Sequence, residues 1–501
     1  MILEAGNYDL DTSEPTVLMH ETDCEALGVS EGDRVRVSGK GSAVAIVSVS
    51  DTLVVPGRIL LPHSVQEAAS ASPGDPVEIA ISHSPDSVRS IRDKMEGRHL
   101  DAEEITQLVD DVVSGRLSRI EIAAWLTALY IKGMDIDEIA AYARSMAETG
   151  DRISFDDVRV FDFHSFGGVP GNKITPIVVS IAAEAGLTIP KLSSRAISSA
   201  CGTADFVETF CDVNLDSDDV RRIASEVGGV FSWTGATDLG PAGDVFITVQ
   251  RPLGIDPRPQ LLASIMSKKV AAGATDLVMD IPLGSETKVR TIEEARSYAR
   301  DLVELGHTLG IRVECIVTYA EQPLGRAVGP VLEARECMRV LEGDPGYADV
   351  ADKACICAGA LLDLAGSRDG AAEARRILDS GRARTRFAAI VAAQGGDSSI
   401  SSEDMVPGRY SAEVIADRPG FVRRVSNSAV VSVAKAAGAP GDKGAGVLIE
   451  RKVGSKVSEG DVLMRIHAER EDKLAHALEI AEEYEPIVVE GMIISHVGPG
   501  Q

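Results

Sequence analysis

The sequence predicts an α/β protein with a helical lobe, a large α/β lobe, an N-terminal β-barrel-like domain and a C-terminal α+β domain. Three observations indicate this architecture. From about residue 158 the pattern strand, glycine loop, helix repeats. Residues 86–155 have helical periodicity, and short alternating apolar runs occur near both ends. At 501 residues the chain is too long for one hydrophobic core, so several domains are expected.

Residues 1–84 form the predicted β-rich domain. Short runs with alternating apolar side chains occur at 35–37 and 43–49, and turns containing Gly and Asp, such as 31–33, separate them. Residues 26–35 resemble a repeat of double-psi β-barrel domains. The segment contains no set of catalytic residue types, so we interpret it as an assembly domain.

Residues 85–157 form the predicted helical lobe, which part of 240–270 is expected to join. Apolar residues recur here at spacings of three and four. Three helix starts have the capping-box pattern, in which an N-cap residue is followed three positions later by an acid. The three pairs are Asp101 with Glu104, Ser118 with Glu121, and Asp135 with Glu138.

Residues 158–398 form the predicted α/β lobe, and 399–501 form the smaller α+β domain, with short β segments and glycine turns. Apolar strands that alternate with helices favour a largely parallel sheet with helices on both faces. The predicted elements of the lobe are strands at 158–163, 277–281 and 312–317, helices at 174–186 and 292–309, and a glycine loop at 167–172.

The composition restricts the class of partner and the compartment. The formal net charge of −27 argues against nucleic acid or an anionic membrane as the main partner. The sequence has no membrane-spanning apolar run and no signal-peptide pattern. Seven irregularly spaced cysteines indicate thiols in a reducing cytoplasm. Cys355 and Cys357 lack further ligands nearby, so no metal site is expected.

The first motif that suggests chemistry is the segment 164–173, HSFGGVPGNK, between a predicted strand and helix. Glycines such as Gly168 let a backbone approach an anion, and N–H groups at a helix start point towards it. His164 and Ser165 add side-chain polar groups, and Lys173 adds a positive charge. The alternative is a glycine-rich turn that only connects the two elements.

The second motif is the segment 193–205, SSRAISSACGTAD. From Ser193 to Thr203 it contains four serines, an arginine and a threonine. The guanidinium of Arg195 can fork onto a phosphate while hydroxyl groups orient it. The alternative is an exposed serine-rich loop without a ligand.

Together these motifs resemble the thymidine/pyrimidine-nucleoside phosphorylase family, whose signatures read about K-H-S-x-G-G-V and S-x-R-x-x-x-x-x-G-T-x-D. The resemblance covers about residues 86–490 and implies the nucleoside phosphorylase II type of fold. The archaeal AMP phosphorylase branch is more similar, because it shares GGVPGNK, SSRAI, GTAD and the additional N-terminal domain. Further segments that fit this branch lie at 251–257, 260–265, 280–284 and 435–440.

The resemblance implies a set of site residues. Asp256 would be the general acid, although an Asp before Pro257 is also a common turn residue. The residues implied to line the nucleotide and phosphate site are Gly168, Ser194, Arg195, Ala196, Ile197, Ser198, Ser199, Thr203, Ser264 and Lys288. Further candidates are His164, Ser165, Lys173 and Ser193.

The implied reaction is phosphorolysis of AMP, with CMP and UMP as additional substrates, giving free base and ribose 1,5-bisphosphate. Inorganic phosphate is the co-substrate and no cofactor is expected. The expected assembly is a homodimer or higher homo-oligomer.

Two differences from the family keep alternatives open. Phe163 occupies the position of a family lysine that contacts phosphate in bacterial members. The segment 240–244 reads GPAGD where pyrimidine enzymes carry a lysine that contacts the base. This second difference counts against a pyrimidine base, whereas Phe163 leaves open the interpretation as a catalytically weak protein. The alternatives are a thymidine or uridine phosphorylase, and a catalytically weak binding or assembly protein.

Overall fold

A computed structural model gives the fold of the chain. The residues that it describes are 1–8, 14–155, 158–196 and 199–491. The chain divides into two compact units. Unit 1 comprises Met1–Gly150 and Gly240–Ser267, and unit 2 comprises Asp151–Leu239 and Lys268–Gln501.

The N-terminal part of unit 1 is a closed barrel of six strands in the order β1-β5-β2-β4-β3-β6. Its elements are β1 (Ile2–Asn7), β2 (Thr16–Met19), α1 (Glu21–Leu27), β3 (Arg34–Ser38), β4 (Ser42–Val49), β5 (Arg58–Leu61), α2 (His63–Ala69) and β6 (Pro76–Ile81). The alternating apolar residues of β3, Val35 and Val37, are fully buried inside the barrel. The predicted β-rich domain and its strands are therefore confirmed.

Four helices follow the barrel: α3 (Ser87–Glu96), α4 (Ala102–Val113), α5 (Arg119–Lys132) and α6 (Ile136–Glu148). All three predicted capping boxes are formed at the starts of α4, α5 and α6. In α4, for example, the Asp101 side chain accepts from the Glu104 backbone, and the Glu104 side chain accepts from the Asp101 backbone. The predicted helical bundle is confirmed.

The α/β part contains about half of the chain. Its strands are β7 (Phe161–Ser165), β8 (Ile189–Ser193), β9 (Gly229–Trp233), β10 (Asp276–Leu283), β11 (Arg312–Tyr319) and β12 (Ala327–Val328). The helices along the same stretch of the sequence are α7 (Thr175–Glu184), α8 (Thr203–Val207), α9 (Ser217–Val227), α10 (Pro241–Leu253), α11 (Arg258–Ala271), α12 (Ile292–Leu309), α13 (Pro330–Leu341), α14 (Ala348–Ala365), α15 (Gly370–Asp379) and α16 (Arg382–Ala393). Helix α10 belongs to unit 1, where it packs against α4, α5 and α6.

The predicted parallel sheet is confirmed. Strands β11, β10 and β7 pair in parallel, as do β8 and β9, and a parallel bridge between Val160 and Thr188 links β7 to β8. Strand β10 is buried along both faces, and both α12 and α14 pack against it. Strand β7 starts at Phe161, three residues later than predicted, because Val158 is exposed and the pairing with β10 begins at Phe161. The carboxyl ends of β7, β10 and β11 meet at one edge of the sheet.

The C-terminal part of unit 2 has two antiparallel sheets, as the α+β prediction requires. Its elements are β13 (Tyr410–Ile415), β14 (Gly420–Val425), α17 (Asn427–Ala436), β15 (Gly446–Ile449), β16 (Lys456–Val457), β17 (Val462–Ala468), α18 (Glu471–Tyr484) and β18 (Ile487–Glu490). Strand β12 of the α/β part pairs with β15, so the two parts share a sheet. Among the helices of the described ranges, none is long and apolar enough to cross a lipid bilayer.

Candidate functional site

The glycine-rich loop follows β7 at the carboxyl edge of the parallel sheet. Gly168 has a φ of +92°, and a Cβ added to it would lie 3.1 Å from the Lys288 backbone nitrogen. A side chain at position 168 would therefore be strained and crowded, and only glycine allows this close approach. The structure brings the backbones of Gly168 and Lys288 together and leaves the Lys288 side chain exposed.

His164 lies at the end of β7 in a strongly positive environment. Burial holds the pKa of His164 well below its ordinary value, and the charges of Lys269, Lys191, Lys268 and Lys288 lower it further. The imidazole is consequently neutral at neutral pH. These four lysines concentrate positive potential at one place in a protein whose formal charge is −27.

Two of these lysines are held by one carboxylate. Lys269 Nζ lies 2.6 Å from Asp162 Oδ2, and Lys191 Nζ lies 3.5 Å from Asp162 Oδ1. Burial acts to raise the pKa of Asp162, but the two ammonium groups keep it below its ordinary value. Burial lowers the pKa of Lys191 to about 8. The cluster of Asp162, Lys191 and Lys269 was not predicted from the sequence.

Phe163 shows why this cluster lies beside His164. Successive side chains of a strand point to opposite faces, so Phe163 faces away from Asp162 and His164. Phe163 is fully buried in the hydrophobic core, together with Phe161 and Val278. Phe163 replaces a family lysine, and the alternation along β7 turns position 163 into the core. This could have indicated that the positive charge of that lysine had to come from a lysine on another element.

Ser165 has a partner inside the protein. Its hydroxyl donates to Asp280 Oδ2 at 2.8 Å and accepts from Asn172 Nδ2 at 2.9 Å. Asp280 is fully buried, and it also accepts from Thr318 at 2.5 Å and pairs with Lys353 Nζ at 2.8 Å. In this structure Ser165 therefore fixes the glycine-rich loop to β10.

Lys173, a further candidate for the site, is paired inside the protein in this structure. Its side chain is fully buried, and its Nζ lies 3.2 Å from Glu336 Oε1 and 3.0 Å from the carbonyl oxygen of Leu324. A buried lysine needs such a partner, because an isolated buried charge is very costly. The ion pair anchors the start of α7 to α13.

The serine-rich segment is closed by the final acid of its motif. Asp205 Oδ2 accepts from the backbone nitrogens of Ala196, at 2.7 Å, and Gly202, at 2.9 Å. A Cβ on Gly202 would lie 2.6 Å from the Ala196 nitrogen, so the loop requires glycine there. Thr203 begins α8 directly after this closure. The structure thus brings Ala196 and Thr203 into one closed loop.

Arg195, a predicted phosphate ligand, is paired inside the protein in this structure. Its guanidinium forks onto Glu208 at 2.9 and 2.6 Å and lies 4.8 Å from the centre of the Trp233 ring. Lys443 also pairs with Glu208. Bidentate pairs of this kind are among the stronger polar contacts, so Arg195 stabilises the loop.

The other serines of the segment differ in their exposure. Ser193 ends β8 and is half-buried, and Ser194 is exposed. The Ser199 hydroxyl donates to the Cys201 carbonyl oxygen at 3.1 Å. The predicted residues Ile197 and Ser198 lie outside the described residues.

Asp256 and Ser264 belong to unit 1, whereas the other site residues belong to unit 2. Asp256 lies between α10 and α11, and its Oδ1 accepts from Gln250 Nε2 at 3.0 Å in an exposed setting. Ser264 is half-buried on α11.

Comparison with protein families agrees with these parts. Residues 88–150 match the helical bundle domain of a glycosyl transferase family, and residues 157–384 match the a/b domain of the same family. Residues 421–487 match the pyrimidine nucleoside phosphorylase C-terminal domain, and residues 5–84 match a molydopterin dinucleotide binding domain. The fold is similar to anthranilate phosphoribosyltransferase (TrpD) from Thermus thermophilus, with a TM-score of 0.51 and 24% identity, over 62% of this chain and 100% of that chain.

Several curated proteins are similar over nearly the whole chain. AMP phosphorylase 1 of Archaeoglobus fulgidus is 44% identical over 99% of both chains. AMP phosphorylase of Methanosarcina barkeri is 44% identical over 100% of this chain and 99% of its own. AMP phosphorylase of Thermococcus kodakarensis is 44% identical over 98% of both. Since this similarity extends across the barrel, the helical bundle, the parallel sheet and the C-terminal sheets, the chain belongs to the AMP phosphorylase family.

Proposed function

We propose that the protein cleaves AMP with inorganic phosphate, releasing adenine and ribose 1,5-bisphosphate. The observation that carries the proposal is the group of four lysines around His164, next to the loop where Gly168 approaches Lys288. Both substrates are anions, and a protein this acidic needs a local positive site to bind two of them. The names of the relatives support the same reaction.

In the proposed reaction a phosphate oxygen forms a bond to C1′ of the ribose while the C1′–N9 bond to adenine breaks. The electron pair of that bond leaves with adenine, which takes up one proton. Alignment of the phosphate with the sugar lowers the activation barrier by roughly several kcal/mol. Fixed hydrogen-bond donors stabilise the charge that develops in the transition state. Protonation of the departing base contributes about 100-fold or more. We assign this proton transfer to Asp256.

The internal contacts of the loops change the proposed set of binding residues. Lys191 and Lys269 join it because they lie beside His164 and share the single carboxylate of Asp162. Arg195 and Lys173 leave it because Arg195 pairs with two carboxylates, those of Glu208 and Asp205, and the buried Lys173 pairs with Glu336. Ser165 and Asp205 position the two loops. The residues that we propose to contact AMP or phosphate directly are Gly168, Lys191, Ser193, Ser194, Ser199, Thr203, Ser264, Lys269 and Lys288.

The proposal also covers the cofactor requirement, the compartment and the assembly of the protein. The balanced reaction needs phosphate as co-substrate and no further cofactor. The seven cysteines are free thiols, which supports a reducing, cytoplasmic compartment. We also propose a homodimer or a higher homo-oligomer as the assembly.

A base-release assay tests the function. The panel is AMP, CMP, UMP, adenosine, thymidine and uridine, each with and without phosphate, with released base and sugar phosphate measured by chromatography. We expect adenine and ribose 1,5-bisphosphate from AMP only when phosphate is present. The C-terminal family match favours one second candidate, a pyrimidine nucleoside phosphorylase. Turnover of thymidine or uridine above that of AMP would establish that candidate, and no release from any compound would indicate a binding or assembly protein.

A further inference from the structure

A cavity of about 660 Å³ lies within unit 2, at the carboxyl end of β11. It is bordered by β11, by the loop that follows this strand, and by α14. Apolar side chains form its walls, among them Ile316, Leu324 and Ile356. This volume is within the range of small-molecule sites in proteins. None of the residues proposed to contact AMP or phosphate lines it.

A buried ammonium group also lines this cavity. The Lys353 side chain is 8% exposed, and its Nζ lies 2.8 Å from Asp280 Oδ2. Within the described part of the chain, however, no acceptor meets the directional geometry of a hydrogen bond to this nitrogen. An ammonium has three N–H donors, and a buried donor without an acceptor is costly. A ligand acceptor in the cavity would satisfy Lys353.

The remaining charges favour an anion as that acceptor. Lys452 also lines the cavity, and its ammonium donates to the carbonyl oxygens of Pro323 and Gly325. Asp349, the acid of the lining, lies 3.6 Å from Lys452. Two ammonium groups beside apolar walls match a ligand with an anionic head and an apolar body.

The cavity is connected to the glycine-rich loop through one residue. Asp280 contacts Lys353 with the same oxygen, Oδ2, that accepts from Ser165 and Asn172. An anion bound to Lys353 would compete with Asp280 for the ammonium. The hydrogen bond from Ser165 to Asp280 would then change, and the loop that carries Gly168 would shift with it.

We propose that this cavity binds a small amphiphilic anion, with its head on Lys353 and its body against Ile316, Leu324 and Ile356, and that binding changes phosphorolysis through Asp280. The coupling rests on the proposed function, whereas the binding site does not.

The binding site is tested with 8-anilinonaphthalene-1-sulfonate, a fluorescent anion with an apolar body. We expect saturable binding to the full-length protein, and a dissociation constant at least about tenfold higher in Lys353→Met. Ile356→Glu places a second negative charge at the exposed rim of the cavity and should abolish binding without unfolding the protein. The matched control is Ile120→Glu, the same change at an exposed isoleucine of α5 in unit 1. Equal binding by the Ile356→Glu and Ile120→Glu variants would overturn the proposal.

The coupling is tested by measuring adenine release from AMP at increasing probe concentration. The rate should change at least about twofold, with half of the change at the dissociation constant from fluorescence. The Ile356→Glu variant should release adenine at the same rate at every probe concentration as it does without the probe. An unchanged wild-type rate at full occupancy would overturn the coupling. If AMP is not a substrate, the fluorescence titration still decides the binding site.

Discussion

The Lys269 ammonium donates a 2.6 Å hydrogen bond to the Asp162 carboxylate, and both side chains are almost fully buried beside His164. Two ammonium groups, those of Lys191 and Lys269, share this one carboxylate, so the three side chains together carry a net positive charge. Breaking a buried pair of this kind usually costs several kcal/mol, roughly 3–5. Lys191, which is farther from Asp162, is the lysine whose removal should affect function more than stability.

Lys191→Met should weaken phosphate binding. The KM for phosphate should rise by about tenfold or more, because a charge-assisted hydrogen bond contributes about 1.5–3 kcal/mol. Steady-state kinetics with phosphate varied at saturating AMP measures this effect. Lys435→Met, at an exposed lysine of α17, is the matched control and should leave KM unchanged. The same KM in both variants would exclude Lys191 from the phosphate site.

The pH profile gives a second test of Lys191. Its pKa is lowered to about 8, so the ammonium loses its proton as pH rises through that value. Phosphorolysis should therefore decline above pH 8 in the wild-type protein. The decline should be absent over pH 7–9 in Lys191→Met, measured as kcat/KM for phosphate. A profile that is identical in the two proteins would contradict the assignment.

Asp256→Asn should lower kcat by about 10²–10⁴-fold, as expected when a general acid is removed. AMP affinity should change far less, since the role belongs to the transition state. Rapid-mixing assays of adenine release and binding titrations with AMP measure the two quantities. Asp110→Asn, at an exposed acid of α4, serves as the control. Near-native kcat in the Asp256→Asn variant would leave Asp256 as a turn residue before Pro257.

Glu333 should make stability depend on pH. Burial raises the pKa of this carboxyl, on α13, to about 7, against an ordinary value of 4.5. Between these values the folded state holds a proton that the unfolded state releases, so the free energy of unfolding falls as pH rises from 4.5 to 7. The expected fall is about 2–3 kcal/mol. Urea unfolding at pH 5 and pH 8 should show a smaller pH effect in Glu333→Gln than in the wild type. Glu459→Gln, at an exposed site, should retain the wild-type dependence.

Gly171→Ala should destabilise the glycine-rich loop. Gly171 has a φ of +72°, and its Cβ would lie 2.6 Å from the Leu324 carbonyl oxygen. The cost should be about 2–4 kcal/mol, as for other clashes in a packed backbone. Gly186→Ala measures the cost of the backbone conformation alone, because Gly186 has a φ of +90° but open space where the Cβ would lie. That control should lose only about 1–2 kcal/mol in thermal unfolding. Equal losses would mean that the Leu324 contact relaxes freely.

The elements that the sequence predicted well are stabilised by interactions close together in the chain. A capping box joins residues three positions apart, so Asp101 and Glu104 could be paired directly from the sequence. Helix α12 has the predicted bounds, because its N-cap Thr291 and its closing Gly310 are local signals. Strands β10 and β11 were found from their apolar runs, although only β10 is buried along its length, whereas β11 is half-buried.

The charge distribution of the site was decided by tertiary structure alone. Lys173 and Glu336 are 163 positions apart, and Lys269 and Asp162 are 107 apart, so no local pattern indicates which lysine is paired internally. The motif residues looked equally available to an anion in the sequence. The order of strands in the parallel sheet places Lys191 beside β7 and turns Phe163 into the core. The sequence by itself determined the fold, the loops and the family resemblance. Only the folded chain determined which charges remain to bind a substrate. The reason is that a buried charge needs a partner, and the tertiary structure decides which residue supplies it.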